Sequence, residues 1–305
     1  MPDTIADPQA MPPIRLADRG LVSVGGPDAA GFLHNLVSAN IERLTSGEAA
    51  YAALLSPQGK VLFVFFVVRQ GDVYWLDCPA GQAAALARRL GIYKLRAAVA
   101  IADRSADFGV IAIPGQPAFD PPPTGLPEAA IVYADPRLAG LGWRALVPAD
   151  GTEQADVGDA AAYDRLRIGL GVPALGLDYQ SGDVVPHDVN FDDLNAIDFR
   201  KGCYIGQEIV SRMKHRGTAR RRLVQVRPVD GTAALPVAGT EIVAGHRAIG
   251  TMGSSRDGEG LAILRLDWVK DALDRDVAIA AGGIALSVRL PAYANFDFPA
   301  TVAEG

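Results

Sequence analysis

The sequence has few of the residues that build covalent or metal-bound frameworks, with two cysteines and four histidines among 305 residues. Cys78 and Cys203 are far apart, so the chain has no CxxC pair and no disulfide framework of the kind found in small secreted proteins. The four histidines show no recurring ligand spacing. Since a closed zinc or iron–sulfur site usually needs four ligands, we expect no metal site made by this chain alone.

Long apolar runs are also missing. The longest one, VLFVFFVV at 61–68, has eight residues, whereas a membrane-spanning helix needs about 20, so it predicts a buried strand and no membrane partner. The N-terminal stretch MPDTIADPQAMPPIRLADRG has neither the basic start and apolar centre of a signal peptide nor the arginine-rich character of a transit peptide. We therefore expect a cytoplasmic protein. The net charge of -6 does not imply a dominant polyanion-binding surface, so any basic site must be local.

The turn and periodicity patterns of the sequence predict a small α+β module and a small all-β domain. The stretch 27–44 predicts a helix opened by a Pro-Asp pair, and SPQG at 56–59 predicts a type I turn between two strands. Strands grouped around one or two helices then favour a ferredoxin-like module at 49–155. After Leu223, short strands separated by glycine are typical of a small β-barrel that ends the chain.

The stretch FRKGCYIGQEIVSRMKHRG at 199–217 contains one of the two cysteines. It predicts a helix at 206–216, with apolar residues recurring every four positions at Ile205, Ile209 and Met213. Cys203 lies just before the first turn, near the positive end of the helix dipole, and follows Arg200 and Lys201. Each of these features favours thiolate over thiol.

Two interpretations of Cys203 remain open on these features. A lone cysteine is often only a small buried apolar residue. Flanking glycines, Gly202 and Gly206, would however let the backbone approach another group closely, which favours a reactive or ligand-binding thiol. Such a thiol either offers one ligand to a metal site shared with a partner or exchanges with another sulfur.

The motif KGCYIGQE resembles the signature of the YgfZ family of folate-binding proteins, relatives of the glycine-cleavage aminomethyltransferase GcvT. Other segments resemble family counterparts in the same order, and together the similarity spans roughly residues 14 to 290. These segments are FLHNLVSANIERL, LLSPQGKVL, IYKLRAAVAI, RLRIGLGVP, VPHDVNFDDL, HRGTARRRL and IGTMGSS. Members of that family are implicated in assembly or repair of iron–sulfur clusters and, in bacteria, in tRNA modification that depends on iron–sulfur enzymes.

The resemblance implies an α+β fold of the GcvT type, with three domains in a ring around a folate channel. The implied domains are a discontinuous one at 1–48 plus 156–220, the ferredoxin-like module at 49–155, and a C-terminal barrel at 221–305. Tetrahydrofolate or a derivative is the implied cofactor, together with a transient shared iron–sulfur cluster. The implied partners are folate and iron–sulfur carrier or client proteins, and we expect a monomer.

Site roles follow from the same resemblance. Cys203 is the expected working thiol, held as thiolate by Lys201 and the helix N-terminus. The residues expected to shape the loop or to steer an anionic ligand or partner are Gly202, Tyr204, Gly206, Gln207, Glu208, Arg212 and Arg216. The residues expected to line the folate channel are Asp188, Asn190, Arg96, Arg167 and Tyr204.

The positions at which aminomethyltransferases carry catalytic carboxylates hold Phe63, Val64 and Gly169 here. None of these can transfer a proton, which disfavours methylene transfer by the glycine-cleavage route. We therefore expect an accessory factor for iron–sulfur assembly rather than a conventional enzyme. The alternatives are a folate-dependent one-carbon transferase and a tRNA-binding module that uses the basic cluster at 200–222.

Overall fold

The computed structural model describes residues 11–115, 122–152, 158–217 and 219–299. Residues 1–10, which contributed to the expected location, lie outside these ranges. The chain divides into two compact units, Met1–Tyr163 with Leu194–Gln207 and Asp164–Asp193 with Glu208–Gly305. Within the described ranges, no helix has the length and apolar character needed to cross a membrane.

The first unit contains two antiparallel sheets. The strands of the five-stranded sheet, in chain order, are β2 (Arg19–Gly25), β3 (Ala49–Leu55), β4 (Val61–Gln70), β5 (Val73–Pro79) and β6 (Ala100–Asp103), and they lie in the order β3-β4-β5-β2-β6. The strands of the four-stranded sheet are β1 (Ile14–Arg15), β7 (Phe108–Ile113), β8 (Ile131–Ala134) and β9 (Trp143–Pro148), in the order β1-β7-β9-β8.

The predicted hairpin is confirmed by β3 and β4. Gly59 at the turn has φ 74, and its N–H donates to the Ser56 carbonyl over 2.8 Å. The apolar run in β4 is a strand whose centre is buried, as expected. A glycine takes this left-handed conformation at little cost, which explains why the local sequence determines the turn.

Two helices, α1 (Ala29–Leu36) and α2 (Ala83–Lys94), share one apolar core with the five-stranded sheet. The helix predicted at 27–44 ends earlier than expected, at Leu36. Val37 is extended and pairs with Leu54 in an isolated bridge, and Ser38 donates its N–H to the Ala53 carbonyl over 3.0 Å. Pairing with β3 therefore replaces the helical hydrogen bonds that the sequence pattern favours.

The domain boundaries expected from the sequence stay a prediction. The strand pairing does join ranges that the prediction assigned to different domains, because β2 pairs with both β5 and β6. A four-residue helix, α3 (Ala149–Thr152), follows β9.

A buried ionic network lies in the first unit and was not expected from the sequence. Asp77 on β5 accepts hydrogen bonds from Arg19 Nε over 2.7 Å, from Arg144 Nη2 over 2.6 Å and from the Tyr133 hydroxyl over 2.7 Å. The Arg144 guanidinium lies 4.4 Å from the centre of the Phe66 ring. The neighbouring arginines hold the pKa of Asp77 below its ordinary value although burial opposes this. A buried charge keeps its ionised form when its partners are this close.

The second unit contains the closed barrel that the sequence predicts. Its strands are β10 (Arg221–Pro228), β11 (Glu241–Ala244), β12 (Arg247–Arg256), β13 (Glu259–Arg265), β14 (Ile279–Ala281) and β15 (Ile284–Arg289), in the order β10-β13-β12-β11-β14-β15. Helix α4 (Ala160–Gly169) crosses the boundary between the units, and α5 (Gln207–Arg216) matches the predicted helix. Helix α6 (Leu266–Asp274) was not predicted, and it places Leu266, Val269 and Ala272 in the barrel core.

Candidate functional site

The residues Lys201–Gly206, called the KGC loop below, precede α5 and contain the cysteine of interest. Cys203 is exposed, whereas its neighbour Tyr204 is buried. The Tyr204 N–H donates to Gln207 Oε1 over 3.3 Å, and the Gln207 N–H donates to the Tyr204 carbonyl over 3.3 Å. The loop thus presents the thiol on its surface while Tyr204 and Gln207 hold it to the helix start.

Gly206 brings the KGC loop against the β3–β4 turn. Its φ is +81, and a Cβ atom added there would lie 2.5 Å from the Ser56 carbonyl oxygen and 3.0 Å from the Leu55 side chain. Only glycine fits this position without displacing the turn. Two sequence motifs that are far apart in the chain, SPQG and KGCYIGQE, therefore meet at this point.

Lys201 is buried, and its ammonium donates to three backbone carbonyls. The Nζ atom lies 2.5 Å from the His34 oxygen, 2.6 Å from the Val37 oxygen and 3.0 Å from the Ala39 oxygen. These acceptors lie at and just beyond the C-terminal end of α1, where helical carbonyls lack intrahelical partners. An ammonium has three N–H groups, so these carbonyls use all of its donors and none is left for a hydrogen bond to Cys203. The cation instead fastens the KGC loop to α1.

Burial lowers the pKa values of two residues at this loop, Lys201 and His34. Burial lowers the pKa of Lys201 to about 8, while Asp198 and Glu42 oppose the shift. Burial and the Lys201 charge lower the pKa of His34, so its imidazole is neutral at pH 7. The His34 Nε2 atom lies 4.0 Å from a Glu42 carboxylate oxygen, beyond hydrogen-bond distance, and faces Gly202.

The residues expected to bind folate lie in different settings. Arg96 is exposed, between α2 and β6. Arg167 is buried and donates to Asp164 Oδ1 over 2.7 Å, to Asp178 Oδ2 over 3.0 Å and to Ser254 Oγ over 3.0 Å. Most of its donors thus serve structural contacts in the second unit.

Asp188 lies within a short 3-10 helix at Pro186–Val189, and Asn190 directly follows this helix. An Asp188 carboxylate oxygen accepts the Val185 N–H over 3.2 Å. Asn190 is fully buried, and its Nδ2 donates to the Leu223 carbonyl over 2.9 Å. Its Oδ1 is buried without a hydrogen-bond partner among the described residues, which leaves one acceptor for a ligand N–H group.

The basic cluster at 200–222 is not one continuous surface. Lys201 is buried at α1, and Arg222 is buried in a bidentate pair with Asp192 at 2.6 and 3.0 Å, stacked on Phe296 at 4.3 Å. The exposed cations on or beside α5 include Arg212 and Arg216, and Glu208 is exposed in its first turn. The second unit also has a cavity of about 730 Å³, whose charged lining mixes both signs: Lys214, Arg220, Arg222 and Lys270 with Asp192, Asp193, Asp267, Asp271 and Asp297.

Sequence reasoning missed two features. Asp77 and Arg144 each stand in an otherwise apolar strand, and a lone charge in such a strand is the signal that could have revealed the buried network. His34 gave no such signal, because only the folded chain brings it beside the KGC loop. Among the described residues, no group of three or more His, Cys, Asp or Glu side chains is placed to hold a metal ion.

Comparisons with known proteins agree with this architecture. The sequence model of the family described as CAF17, C-terminal beta-barrel domain, matches residues 220–296. The solved structure of glycine cleavage system aminomethyltransferase T from Bartonella henselae superposes with a TM-score of 0.71 and 18% identity, covering 94% of this chain and 87% of that chain. At this identity the likeness shows the fold alone, and it confirms the expected GcvT-like fold class.

Two relatives carry the assignment further. "Iron-sulfur cluster assembly factor IBA57, mitochondrial" of Mus musculus is 32% identical and covers 88% of this chain and 81% of its own length. The Homo sapiens protein of the same name is 30% identical and covers 91% and 83%. Both are named as mitochondrial, which contradicts the cytoplasmic location expected from the N-terminal composition.

This match corrects the expected family. The resemblance to YgfZ holds at the level of the superfamily, and the specific family is IBA57. With this identity over most of both chains, and with a barrel of the CAF17 type, the chain belongs to the IBA57 family of iron–sulfur cluster assembly factors.

Proposed function

We propose that this protein holds an iron–sulfur cluster in transit, with Cys203 as its single ligand and a partner protein supplying the others. The observation that carries the proposal is the exposed thiol on a loop fastened at both ends. Lys201 ties the start of the loop to α1, and Gly206 seats its end on the β3–β4 turn. A ligand on a fixed loop can meet a cluster without reorganising the protein.

The ligand count supports a shared site. Iron–sulfur clusters are commonly held by four cysteine thiolates, and the other cysteine, Cys78, is buried with a pKa raised to about 12 by burial. Among the described residues, no group of three or more His, Cys, Asp or Glu side chains could supply the remaining ligands. The names of the relatives identify iron–sulfur assembly as the setting, so thiolate-bearing iron–sulfur proteins are the proposed partners. By the same names, the mitochondrion is the proposed location.

Folate binding is a second part of the proposal. The residues present fit a pterin in part, because Asn190 keeps a buried acceptor that a pterin N–H group could satisfy. The contacts of Arg167 assign it to the protein's own structure rather than to a ligand. When bound, tetrahydrofolate would supply one-carbon or reducing chemistry. We expect Asn190→Leu to weaken tetrahydrofolate binding in a fluorescence titration.

The alternative functions find less support in the structure. Phe63 and Val64 lie within β4, and neither side chain has a carboxylate. The one-carbon transferase alternative therefore lacks its catalytic groups at these positions. The RNA-binding alternative loses Lys201 and Arg222 to buried contacts. Turnover of methylene-tetrahydrofolate would revive the first alternative. Salt-dependent tRNA binding that survives Cys203→Ser would revive the second.

Complementation tests the main proposal. Cys203→Ser should fail to restore iron–sulfur enzyme activities in cells that lack their IBA57-type factor, while keeping its thermal unfolding temperature and its tetrahydrofolate affinity. Cys78→Ala is the matched control, since it removes the other thiol, and it should restore activity if the variant folds. Full rescue by Cys203→Ser would show that the thiol is not the working group.

A further inference from the structure

His34 on α1 is nine-tenths buried beside the KGC loop, and the proposed function assigns it no task. Its carbonyl accepts a hydrogen bond from the Lys201 ammonium, which ties the residue to the loop. Its Nε2 atom faces Gly202, 4.0 Å from the position that a Cβ atom of that residue would occupy. Its Nδ1 atom is buried and has no hydrogen-bond partner among the described residues. A buried polar atom without a partner is uncommon and needs an explanation.

The surroundings select one tautomer of this imidazole. The neutral ring carries one N–H group, and buried N–H groups without an acceptor are rarer than buried acceptors without a donor. Nδ1 is therefore the bare acceptor, and Nε2 carries the hydrogen. That N–H group points toward the backbone position immediately before Cys203, where Gly202 has no side chain to intervene. The Glu42 carboxylate oxygen, 4.0 Å from Nε2, is too far away to accept it.

We propose that His34 Nε2–H donates a hydrogen bond to a sulfur atom of the cluster held at Cys203, which makes His34 a positioning residue for the cargo. The proposal rests on the proposed function of Cys203. Hydrogen bonds to cluster sulfurs stabilise clusters and shift their reduction potentials. Lys201 cannot supply this bond because its three N–H groups are already donated to carbonyls.

The test uses the full chain reconstituted without oxygen from ferric iron, sulfide and glutathione, whose thiol provides the remaining ligands. His34→Leu replaces the imidazole with an apolar side chain and so removes the N–H donor. His34→Gln keeps an N–H donor at this position. His215→Leu on α5 is the control, since His215 is exposed. We expect His34→Leu to shorten the cluster lifetime against a chelator about 10-fold and to make its reduction potential more negative. His34→Gln and His215→Leu should stay within about twofold of the parent protein.

The outcomes separate this inference from the function on which it rests. A cluster that persists unchanged in Cys203→Ser would overturn the proposed function and this inference together. A cluster lost in Cys203→Ser but unchanged in lifetime and potential in His34→Leu would overturn the role of His34 alone. Equal losses in His34→Leu and His34→Gln would also overturn it, because the donor would then be irrelevant. If His34→Leu fails to fold, His34→Met replaces it with the same expected results.

Discussion

The clamp formed by Lys201 gives the most direct test of how the KGC loop is held. Lys201→Met keeps most of the apolar stem of the side chain and removes the ammonium. The carbonyls of His34, Val37 and Ala39 then lose a charged donor at distances of 2.5, 2.6 and 3.0 Å. Because these acceptors end α1, the substitution acts on the helix terminus and on the loop at the same time.

The expected change in the free energy of unfolding follows from two opposing effects. A hydrogen bond to a charged group contributes about 1.5–3 kcal/mol, so three such bonds outweigh most single interactions. Burial opposes these bonds, since it lowers the pKa of Lys201 from 10.5 to about 8 although Asp198 and Glu42 raise it, so keeping the charge inside the protein has a cost. The methionine variant avoids this cost. We therefore expect the free energy of unfolding to fall by about 3 kcal/mol, since buried carbonyls without a donor remain.

Urea unfolding followed by far-ultraviolet circular dichroism measures this change. Lys94→Met is the matched control, because Lys94 is exposed at the end of α2, and it should change the free energy of unfolding by less than about 0.5 kcal/mol. A Lys201→Met protein as stable as the parent would refute the clamp. Lys201→Arg is expected to lose stability as well, since a planar guanidinium does not match three acceptors arranged around a point charge.

Three further predictions concern the thiols, a glycine and a histidine. N-ethylmaleimide should modify exposed Cys203 in the folded protein and reach buried Cys78, whose pKa burial raises to about 12, only after unfolding; equal rates by mass spectrometry would contradict the structure. Gly206→Ala should lower the free energy of unfolding by about 2 kcal/mol or more, because the added Cβ would lie 2.5 Å from the backbone of the β3–β4 turn. Gly202→Ala is the control, and its free energy of unfolding in urea should stay near that of the parent protein. A Gly206→Ala protein as stable as the parent would contradict this reasoning. Burial lowers the pKa of His187 below its ordinary 6.5, so the unfolded chain binds more protons below that pH, and the unfolding free energy should fall as pH drops through 6.5. His187→Gln should flatten this dependence between pH 7.5 and 5.5, and an unchanged slope would show that other groups cause it.

Several elements could be predicted from the sequence because their signals are local. The SPQG turn, the helix Gln207–Arg216 and the barrel strands depend on residues only a few positions apart. The motif KGCYIGQE likewise identified the loop that carries Cys203. Short-range patterns of this kind determine turns, helix ends and strand spacing before any long-range contact forms.

The remaining features depend on partners far away in the chain. Helix α1 is shorter than its pattern because Val37 and Ser38 pair with β3. Helix α6 lies between two segments predicted as strands, in a stretch for which the sequence reading predicted no element. At the end of α1, tertiary contact overrode the local helical preference.

The chemistry of the site shows the same division. The sequence by itself determined that a thiol stands on a glycine-flanked loop beside two cations and before a helix. Only the tertiary structure decided what those neighbours do, because the acceptors of Lys201 lie more than 160 positions away and His34 reaches Gly202 only through the fold. The charge of a side chain can be read from its residue type. Its partner is set by burial, since a buried ammonium must find acceptors wherever the folded backbone provides them.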